Sequence, residues 1–209
     1  MITIVDYGRG NIFSIGQALA SQDIVFRVSG KPEDVASAEK LILPGVGAYR
    51  DAFDGLTSRG LVEPLKNAAA NGVPLLGICV GCQLLLSRGE EFGGSEGLDI
   101  IPGVVSRIPD PDPEDPARVR VPNVGWRHIA VRPDVPVLSD MQEGEAMYFV
   151  HSYSPRPSND ENVAATCRIN GADIPVAVHS GSVLGVQFHP ERSGPAGLRL
   201  IAGFARARL

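Results

Sequence analysis

The sequence contains little that would direct it to a membrane, to nucleic acid or to a disulfide-stabilised fold. Its 209 residues include no apolar run near the roughly 20 residues that cross a bilayer, and the start lacks the regions of a secretory signal. The formal net charge is −5 at pH 7, so no general attraction to nucleic acid or anionic lipid is expected. Three cysteines, an odd number, argue against a disulfide framework and favour a reducing compartment. We therefore expect a cytoplasmic protein.

The pattern of the first half predicts an α/β fold. Short apolar runs alternate with amphipathic segments, which is typical of a doubly wound, mostly parallel sheet with flanking helices. The length is enough for one substantial core. Strands are predicted at residues 2–5, 25–28, 41–43 and 74–78, and helices at 11–21, 49–58, 61–70 and 80–86.

The second half of the sequence differs in composition and pattern. Residues 109–116 form an acidic, proline-rich loop without core-forming side chains. Strand-like runs follow at 129–131, 147–150, 163–169, 175–179 and 183–188, and a helix is predicted from about 195 to 208. The loop could mark a domain boundary, but the second half depends too much on the first to fold alone. We expect one domain over residues 1–209.

The stretch GICVGCQ, residues 77–83, allows several interpretations. Cys79 and Cys82 have the spacing of a redox pair, and a zinc site would need two further ligands that the sequence does not offer as a second pair. Both cysteines could instead be small buried hydrophobic residues. The pattern glycine–x–Cys79–x–glycine after an apolar strand and before a helix favours a nucleophile elbow. There the helix N-terminus would favour the thiolate, and its N–H groups could bind an oxyanion.

A thiolate nucleophile requires a base, and the segment QFHPE, residues 187–191, offers one. His189 follows a strand-like run, and Glu191 could orient its imidazole and stabilise the protonated form. For His128, His151 and His179 we favour hydrogen-bonded structural roles. The segment LPGVG, residues 43–47, ends another buried strand, so it is expected at the same sheet edge as Cys79.

With GICVGCQ, LPGVGA and QFHPE together, the chain resembles the class-I glutamine amidotransferases over essentially its whole length. The resemblance implies the fold of that family, with an additional antiparallel strand region. It implies Cys79 as nucleophile, His189 as acid and base and Glu191 as its orienting group. It also implies an oxyanion hole at Gly45, Val46, Gly47 and Val80, and glutamine-binding positions at Gly47, Gln83, Glu91, Ser152 and Tyr153. No metal or organic cofactor is implied.

Three further segments, DYGRGN at 6–11, PNVGW at 122–126 and YFVHSY at 148–153, resemble the glutaminase subunits of imidazole glycerol phosphate synthases. Such a subunit hydrolyses glutamine and passes ammonia to a cyclase, which makes imidazole glycerol phosphate and AICAR in histidine biosynthesis. The implied partner is the TIM-barrel cyclase subunit, HisF in bacteria, in a heterodimer. The implied interface candidates are Asp6, Tyr7, Asn11, Asn123, Trp126, Tyr148 and His151. Cys82 departs from the family, which usually has methionine there, and a packing change is expected.

The same residues allow other functional interpretations. A peptidase or deglycase on a similar elbow typically has its histidine close after the cysteine, whereas the first histidine after Cys79 is His128. A catalytically silent binding subunit would have little reason to keep Cys79, His189 and Glu191. Dinucleotide binding at residues 8–13 is disfavoured because Phe13 occupies the third glycine position of the fingerprint. Trp126, the only tryptophan, is either a contact residue or part of the core.

Overall fold

Short apolar strands form the centre of the fold, as the sequence predicts. The computed structural model describes residues 1–114, 118–138, 141–142 and 144–207. The strands are β1 (Ile2–Val5), β2 (Phe26–Ser29), β3 (Lys40–Leu43), β4 (Leu75–Ile78), β5 (Leu86–Gly89), β6 (Ser95–Glu96), β7 (Ile101–Arg107), β8 (Asn123–His128), β9 (Ala130–Val131), β10 (Ala146–His151), β11 (Tyr153–Pro157), β12 (Val163–Ile169), β13 (Ala172–Ser180) and β14 (Val183–Val186). The α-helices are α1 (Ile12–Ala20), α2 (Pro32–Ala36), α3 (Tyr49–Ser58), α4 (Val62–Ala70), α5 (Val80–Gln83) and α6 (Gly194–Arg206). Short 3-10 turns cover Glu91–Gly93, Pro136–Leu138, Asp160–Asn162 and Pro190–Arg192.

The described strands form three sheets. The largest has the order β2-β1-β3-β4-β14-β13-β12-β9. Its first five strands are parallel, and the remaining pairs are antiparallel. A second sheet has the order β11-β7-β5-β6, and β8 pairs with β10 in a third, antiparallel sheet. The predicted α/β fold with a mostly parallel centre and an added antiparallel region is confirmed.

Side-chain burial explains why the helices lie where they do. Asn11 caps α1 by accepting a hydrogen bond from the Ser14 N–H, and Ile15, Ala18 and Leu19 bury one face of that helix. The predicted helices at 49–58 and 61–70 match α3 and α4. Among the described helices, none combines the length and apolar character needed to cross a bilayer.

The prediction of a helix over residues 80–86 is wrong in its second half. Helix α5 ends at Gln83, and the chain then enters β5. The carbonyl groups of Leu84, Leu85 and Leu86 accept hydrogen bonds from the N–H groups of residues 98–101, which takes them out of any continuing helix. The last residues of two predicted segments, the loop end at 115–116 and the helix end at 208, lie outside the described residues.

Strand order brings the motif residues to one place. Strands β3, β4 and β14 are parallel neighbours, and the register pairs Gly77 of β4 with Gly185 of β14. The segments that follow these strands begin at Pro44, Cys79 and Gln187. Because the carboxyl ends of parallel strands meet at one edge of a sheet, the three motifs converge although they are far apart in the chain.

Candidate active site

Cys79 lies in a sharp turn between β4 and α5. Its backbone has φ 56° and ψ −113°, an unfavourable combination for a residue with a side chain, and its N–H donates to the Val186 carbonyl at 2.8 Å. This is the geometry of a nucleophile elbow, with the cysteine at the end of the strand. The helix that follows has only four residues, so it contributes first-turn N–H groups and little of the dipole of a longer helix.

Glycines are required in this turn because backbone segments touch there. A Cβ atom on Gly81 would lie 1.9 Å from the Leu43 carbonyl oxygen, and one on Gly77 would lie 2.7 Å from the Gly81 oxygen. A Cβ atom on Gly45 would lie 2.4 Å from the Gly81 nitrogen. The loop after β3 and the elbow after β4 are therefore packed backbone against backbone.

His189 and Glu191 lie next to Cys79. The Nδ1 atom of His189 is 2.9 Å from Glu191 Oε1, and the imidazole also hydrogen-bonds with the Cys79 thiol. Burial opposes charge on the imidazole, but the hydrogen bonds to Cys79 and Glu191 and their negative charge outweigh it and raise the pKa of His189 to about 10. The ring is held in place through its backbone, whose N–H donates to the Tyr148 carbonyl at 2.9 Å. These contacts therefore favour the protonated imidazole.

A cavity of about 290 Å³ opens beside these groups. It brings together most of the residues that the sequence predicts for the site. Its lining is Val46, Gly47, Cys79, Val80, Gln83, Glu91, Pro122, Val150, His151, Ser152, Tyr153 and His189. Glu191 lies behind His189 and does not line the cavity, and the same holds for Gly45 behind Val46. A volume of this size suits a ligand as small as an amino acid.

Of the residues predicted for an oxyanion hole, Val46, Gly47 and Val80 line the cavity. The Val80 N–H points to this region, but it donates to the Gly45 carbonyl at 3.3 Å. Gly47 has φ +90°, a conformation that glycine adopts without strain. The loop after β3 is held in place because the buried Tyr7 hydroxyl donates to the Pro44 carbonyl at 2.8 Å.

The residues predicted to hold glutamine, Gly47, Gln83, Glu91, Ser152 and Tyr153, all line the cavity. The Gln83 amide nitrogen donates to the Tyr153 carbonyl at 3.2 Å and to Gln187 Oε1 at 2.9 Å. Glu91 Oε2 accepts the Tyr49 N–H at 2.8 Å, which ties the loop after β5 to the N-terminus of α3. The Ser152 carbonyl accepts the Ile108 N–H, so this part of the wall is fixed backbone.

The structure also reveals two buried polar residues beside the site whose arrangement the sequence does not show. Gln187 is fully buried, and its amide nitrogen lies 3.8 Å from Cys79 Sγ. His151 is 5% exposed; its Nδ1–H donates to the Tyr153 carbonyl, and its Nε2 accepts from Asn123 Nδ2, both at 2.9 Å. Burial chiefly, with the charge of His189, lowers the pKa of His151 to about 4 although the bond to Tyr153 opposes this. Two hydrogen bonds thus give His151 the structural role predicted for it.

The other cysteines and histidines lie outside the reactive centre. Cys82 is fully buried and Cys167 is 3% exposed, and burial raises the thiol pKa of both, that of Cys167 to about 11. His128 contacts the Gly144 carbonyl at an exposed position, and His179 is half-buried. Within residues 1–114, 118–138, 141–142 and 144–207, no three His, Cys, Asp or Glu side chains come together as metal ligands.

The predicted interface residues divide by exposure. Tyr7, Asn123 and His151 are buried at 2%, 0% and 5%, so their side chains are not open to a partner. Trp126 is 52% exposed, which rules out the core alternative for it. It meets Tyr148 edge to face with ring centroids 5.9 Å apart. Asp6 and Asn11 are partly exposed.

The chain is similar in sequence to known proteins over nearly its whole length. The family model described as glutamine amidotransferase class-I matches residues 3–207. The chain is 44% identical to the imidazole glycerol phosphate synthase subunit HisH of Syntrophotalea carbinolica over 98% of both chains. It is 43% identical to the protein of that name from Bacillus licheniformis, covering 98% of this chain and 95% of that one.

Solved structures resemble the fold at lower identity. A crystal structure of a glutamine amidotransferase superposes with a TM-score of 0.73 at 20% identity, covering 99% of both chains. The structure of PurLQS from Thermotoga maritima superposes with a TM-score of 0.72 at 20% identity, covering 98% of this chain and 96% of that one. These structural similarities show the fold of this chain.

Proposed function

Because the chain belongs to the class-I glutamine amidotransferase family, we propose that it is the glutaminase subunit of an imidazole glycerol phosphate synthase. It hydrolyses glutamine to glutamate and supplies the ammonia to a cyclase subunit in a heterodimer, in the cytoplasm. The observation that carries the proposal is the meeting of Cys79, His189 and Glu191 beside a cavity of about 290 Å³. The family model spans residues 3–207, which supports treating the chain as one amidotransferase domain.

The chemistry uses the protonated imidazole of His189, which its contacts favour. Cys79 Sγ, as thiolate, attacks the side-chain amide carbon of glutamine, and the carbonyl oxygen takes the negative charge. The imidazolium of His189 gives its proton to the amide nitrogen, so that ammonia leaves and a glutamyl thioester remains. His189, now neutral, removes a proton from water, which attacks the thioester and releases glutamate. Glu191 holds the ring and stabilises its charge throughout.

Stabilisation of the oxyanion requires a local exchange of hydrogen bonds. The Val80 N–H donates to the Gly45 carbonyl, at a distance of 3.3 Å that is long for an N–H···O bond. For Val80 to bind the oxyanion, the substrate oxygen must replace that carbonyl as acceptor. We propose that Val46 and Gly47, on the same glycine-rich loop, adjust with it. The loop has the conformational freedom for such a change because Gly47 has no side chain.

A partner is expected for chemical reasons. Ammonia released into water at neutral pH becomes ammonium, which is not a nucleophile, so a synthase needs to receive it within protein. The two-stranded sheet beside the cavity offers a surface for this purpose. Its residues Val124, Trp126 and Val150 are 53%, 52% and 40% exposed, and Tyr148 lies opposite Trp126. In β10 the alternate residues Met147, Phe149 and His151 are buried, so Tyr148 and Val150 lie on the outer face, where Val124 and Trp126 of β8 are also exposed.

This face adjoins the reactive centre. Val150 and Pro122 line the catalytic cavity, and the Arg192 guanidinium lies 4.4 Å from the Tyr148 ring centroid. A partner covering the face would therefore cover the cavity mouth as well. We propose that Trp126 and Tyr148, with the partly exposed Asp6 and Asn11, form part of the contact with the cyclase.

The test combines the purified protein with glutamine, with and without a cyclase subunit and its nucleotide substrate. We expect glutamate release at a low rate alone and at a much higher rate in the complex, with imidazole glycerol phosphate as product. Cys79→Ala should abolish release, while Cys82→Ala should retain it. Release at the parent rate by Cys79→Ala would exclude this cysteine as nucleophile, and loss in Cys82→Ala alone would favour a redox pair.

A further inference from the structure

A buried amide lies beside Cys79 and does not line the cavity. Gln187 is fully buried directly after β14, and its backbone N–H donates to the Val176 carbonyl at 2.8 Å. Its side-chain nitrogen is 3.8 Å from Cys79 Sγ, within the range of a hydrogen bond to sulfur. A buried amide N–H without a partner destabilises the fold, so the sulfur supplies an acceptor that the position needs.

The surrounding hydrogen bonds determine which end of this amide faces the sulfur. The Tyr153 carbonyl can only accept, so the Gln83 amide nitrogen must be the atom that faces it, at 3.2 Å. That same nitrogen donates to Gln187 Oε1 at 2.9 Å. A reversed Gln187 would place two nitrogen donors against each other. The oxygen of Gln187 therefore faces Gln83, and its N–H faces Cys79.

His151 supports this orientation from the other side. Its Nδ1–H is a second donor to the Tyr153 carbonyl, at 2.9 Å. The carbonyl is thus held by two donors, and the chain of bonds from His151 to Gln83 and Gln187 ends on the sulfur. Every member of this chain is at most 5% exposed except the partly buried Tyr153. Water is therefore a poor competitor for these bonds.

We propose that Gln187 is a positioning residue for Cys79: its amide N–H donates to the thiolate and holds the sulfur between this amide and the imidazolium of His189. Hydrogen bonds to an ion are stronger than those to a neutral group, so the bond favours the thiolate over the thiol. Gln187 does not line the cavity, so it acts through the sulfur and does not contact glutamine. The inference deepens the proposed glutaminase function.

The pH dependence of Cys79 alkylation by iodoacetamide tests the bond without glutamine or a partner. The variants are Gln187→Met, which removes the donor, and Gln187→Glu, which keeps the shape and the acceptor for Gln83. We expect the pH midpoint of alkylation to rise by about one to two units in Gln187→Met, the range for a lost hydrogen bond to a charged group, and at least as far in Gln187→Glu, whose carboxylate also repels the thiolate. The other ionisable groups near Cys79 are His189, Tyr7 and Cys82, with Glu191 and His151 beyond His189, and all are unchanged in these variants.

Two controls keep the measurement specific. Cys79→Ser gives the labelling of Cys82 and Cys167, which is subtracted. Gln142→Glu, at an exposed glutamine, introduces the same change of charge away from the site and should leave the midpoint unchanged. Circular dichroism shows which variants are folded. If Gln187→Met does not fold, the alkylation midpoint of the isosteric Gln187→Glu tests the proposal.

Turnover gives a second readout. We expect kcat to fall about tenfold or more in the Gln187 variants while KM for glutamine changes less than about twofold, since only the sulfur is affected. An unchanged alkylation midpoint in a folded variant, or an effect on KM alone, would overturn the positioning role. A raised midpoint in a protein that hydrolyses no glutamine would leave the positioning role intact and refute the proposed function instead.

Discussion

The Nδ1 atom of His189 lies 2.9 Å from Glu191 Oε1, and the Glu191 side chain is completely buried. The second carboxylate oxygen, Oε2, has no hydrogen-bond partner within the described part of the chain. A buried carboxylate destabilises a fold unless a charge compensates for it, and here the imidazolium is the compensating group. The two residues therefore depend on each other for stability as well as for the proposed chemistry.

Replacing Glu191 with glutamine keeps the size of the side chain and removes its charge. The imidazolium then loses its negatively charged partner, so less of His189 is available as a proton donor at neutral pH. We expect kcat for glutamine hydrolysis to fall roughly 10²- to 10⁴-fold, with a smaller change in KM, because the carboxylate does not line the cavity. Steady-state kinetics in the presence of the cyclase measures both. An unchanged kcat would remove Glu191 from the mechanism.

The raised pKa of His189 predicts how stability varies with pH. The folded-state value is about 10, above the ordinary value of 6.5, so protonation of this ring stabilises the folded protein. The contribution is fully present below pH 6.5, decreases from pH 6.5 to pH 10 and is lost above pH 10. Thermal unfolding of the parent and of Glu191→Gln should therefore converge as the pH rises through this window. A gap that widens with pH would contradict the assigned pairing.

A matched histidine variant controls that experiment. His128→Gln alters an exposed ring that hydrogen-bonds with the Gly144 carbonyl. Its melting temperature should follow the parent from pH 6 to pH 10 at a nearly constant offset. If it also converged with the parent, the effect would belong to general charge and not to the pair beside Cys79.

Alanine at position 81 should disrupt the elbow. The new Cβ atom would lie 1.9 Å from the Leu43 carbonyl oxygen, a backbone atom of a central strand that cannot move aside. We expect Gly81→Ala to lower the free energy of unfolding by about 3 kcal/mol or more and to abolish glutaminase activity. Gly171→Asn is the control: its φ is +77° in open space, which asparagine tolerates, and a loss within about 1 kcal/mol is expected. Chemical denaturation measures both values.

The exposed Trp126 gives a prediction for the proposed contact with a cyclase subunit. Trp126→Ala should weaken binding of the cyclase by about 30-fold or more, which corresponds to a contact residue worth about 2 kcal/mol. The free protein should keep its fold, because half of this side chain is already in solvent. Isothermal titration calorimetry measures the affinity. Val25→Ala, at an exposed apolar residue beside the edge strand β2, should leave binding unchanged. Unchanged binding in Trp126→Ala would place the interface elsewhere, and equal losses in both variants would show that the effect is not specific to Trp126.

The first half of the fold was predictable because its strands are buried on both faces. In β1, β3 and β4 almost every side chain is buried, so continuous apolar runs mark them clearly. Strands β7 and β11 of the second sheet are not predicted from the sequence, for the opposite reason. Strand β7 alternates between buried and partly exposed residues and contains proline and glycine. Strand β11 contains two prolines, which its place at the sheet edge allows.

The candidate site was predictable where a local pattern carries the chemistry. Cys79 stands between glycines after a strand, and His189 has Glu191 two residues later, so both could be found from short segments. The contacts of Gln187 could not be found from a short segment. Its partner Gln83 is 104 positions away, and only the pairing of β4 with β14 brings the two amides together. The same reasoning explains Asn123 and Tyr7: their burial depends on tertiary packing that the surrounding residues do not reveal.

The crowded glycines at positions 45, 77 and 81 limit how the pocket can be redesigned. At these three positions the nearest neighbours are backbone atoms, so a side chain does not fit and none of the three can be replaced to reshape the space. An enzyme engineer who wants this chain to accept a bulkier amide has to work across the cavity, around Gln83, Glu91 and Tyr153. Any gain in substrate range would thus come from the residues proposed to bind the amino acid, while the glycine contacts beside Cys79 stay as they are.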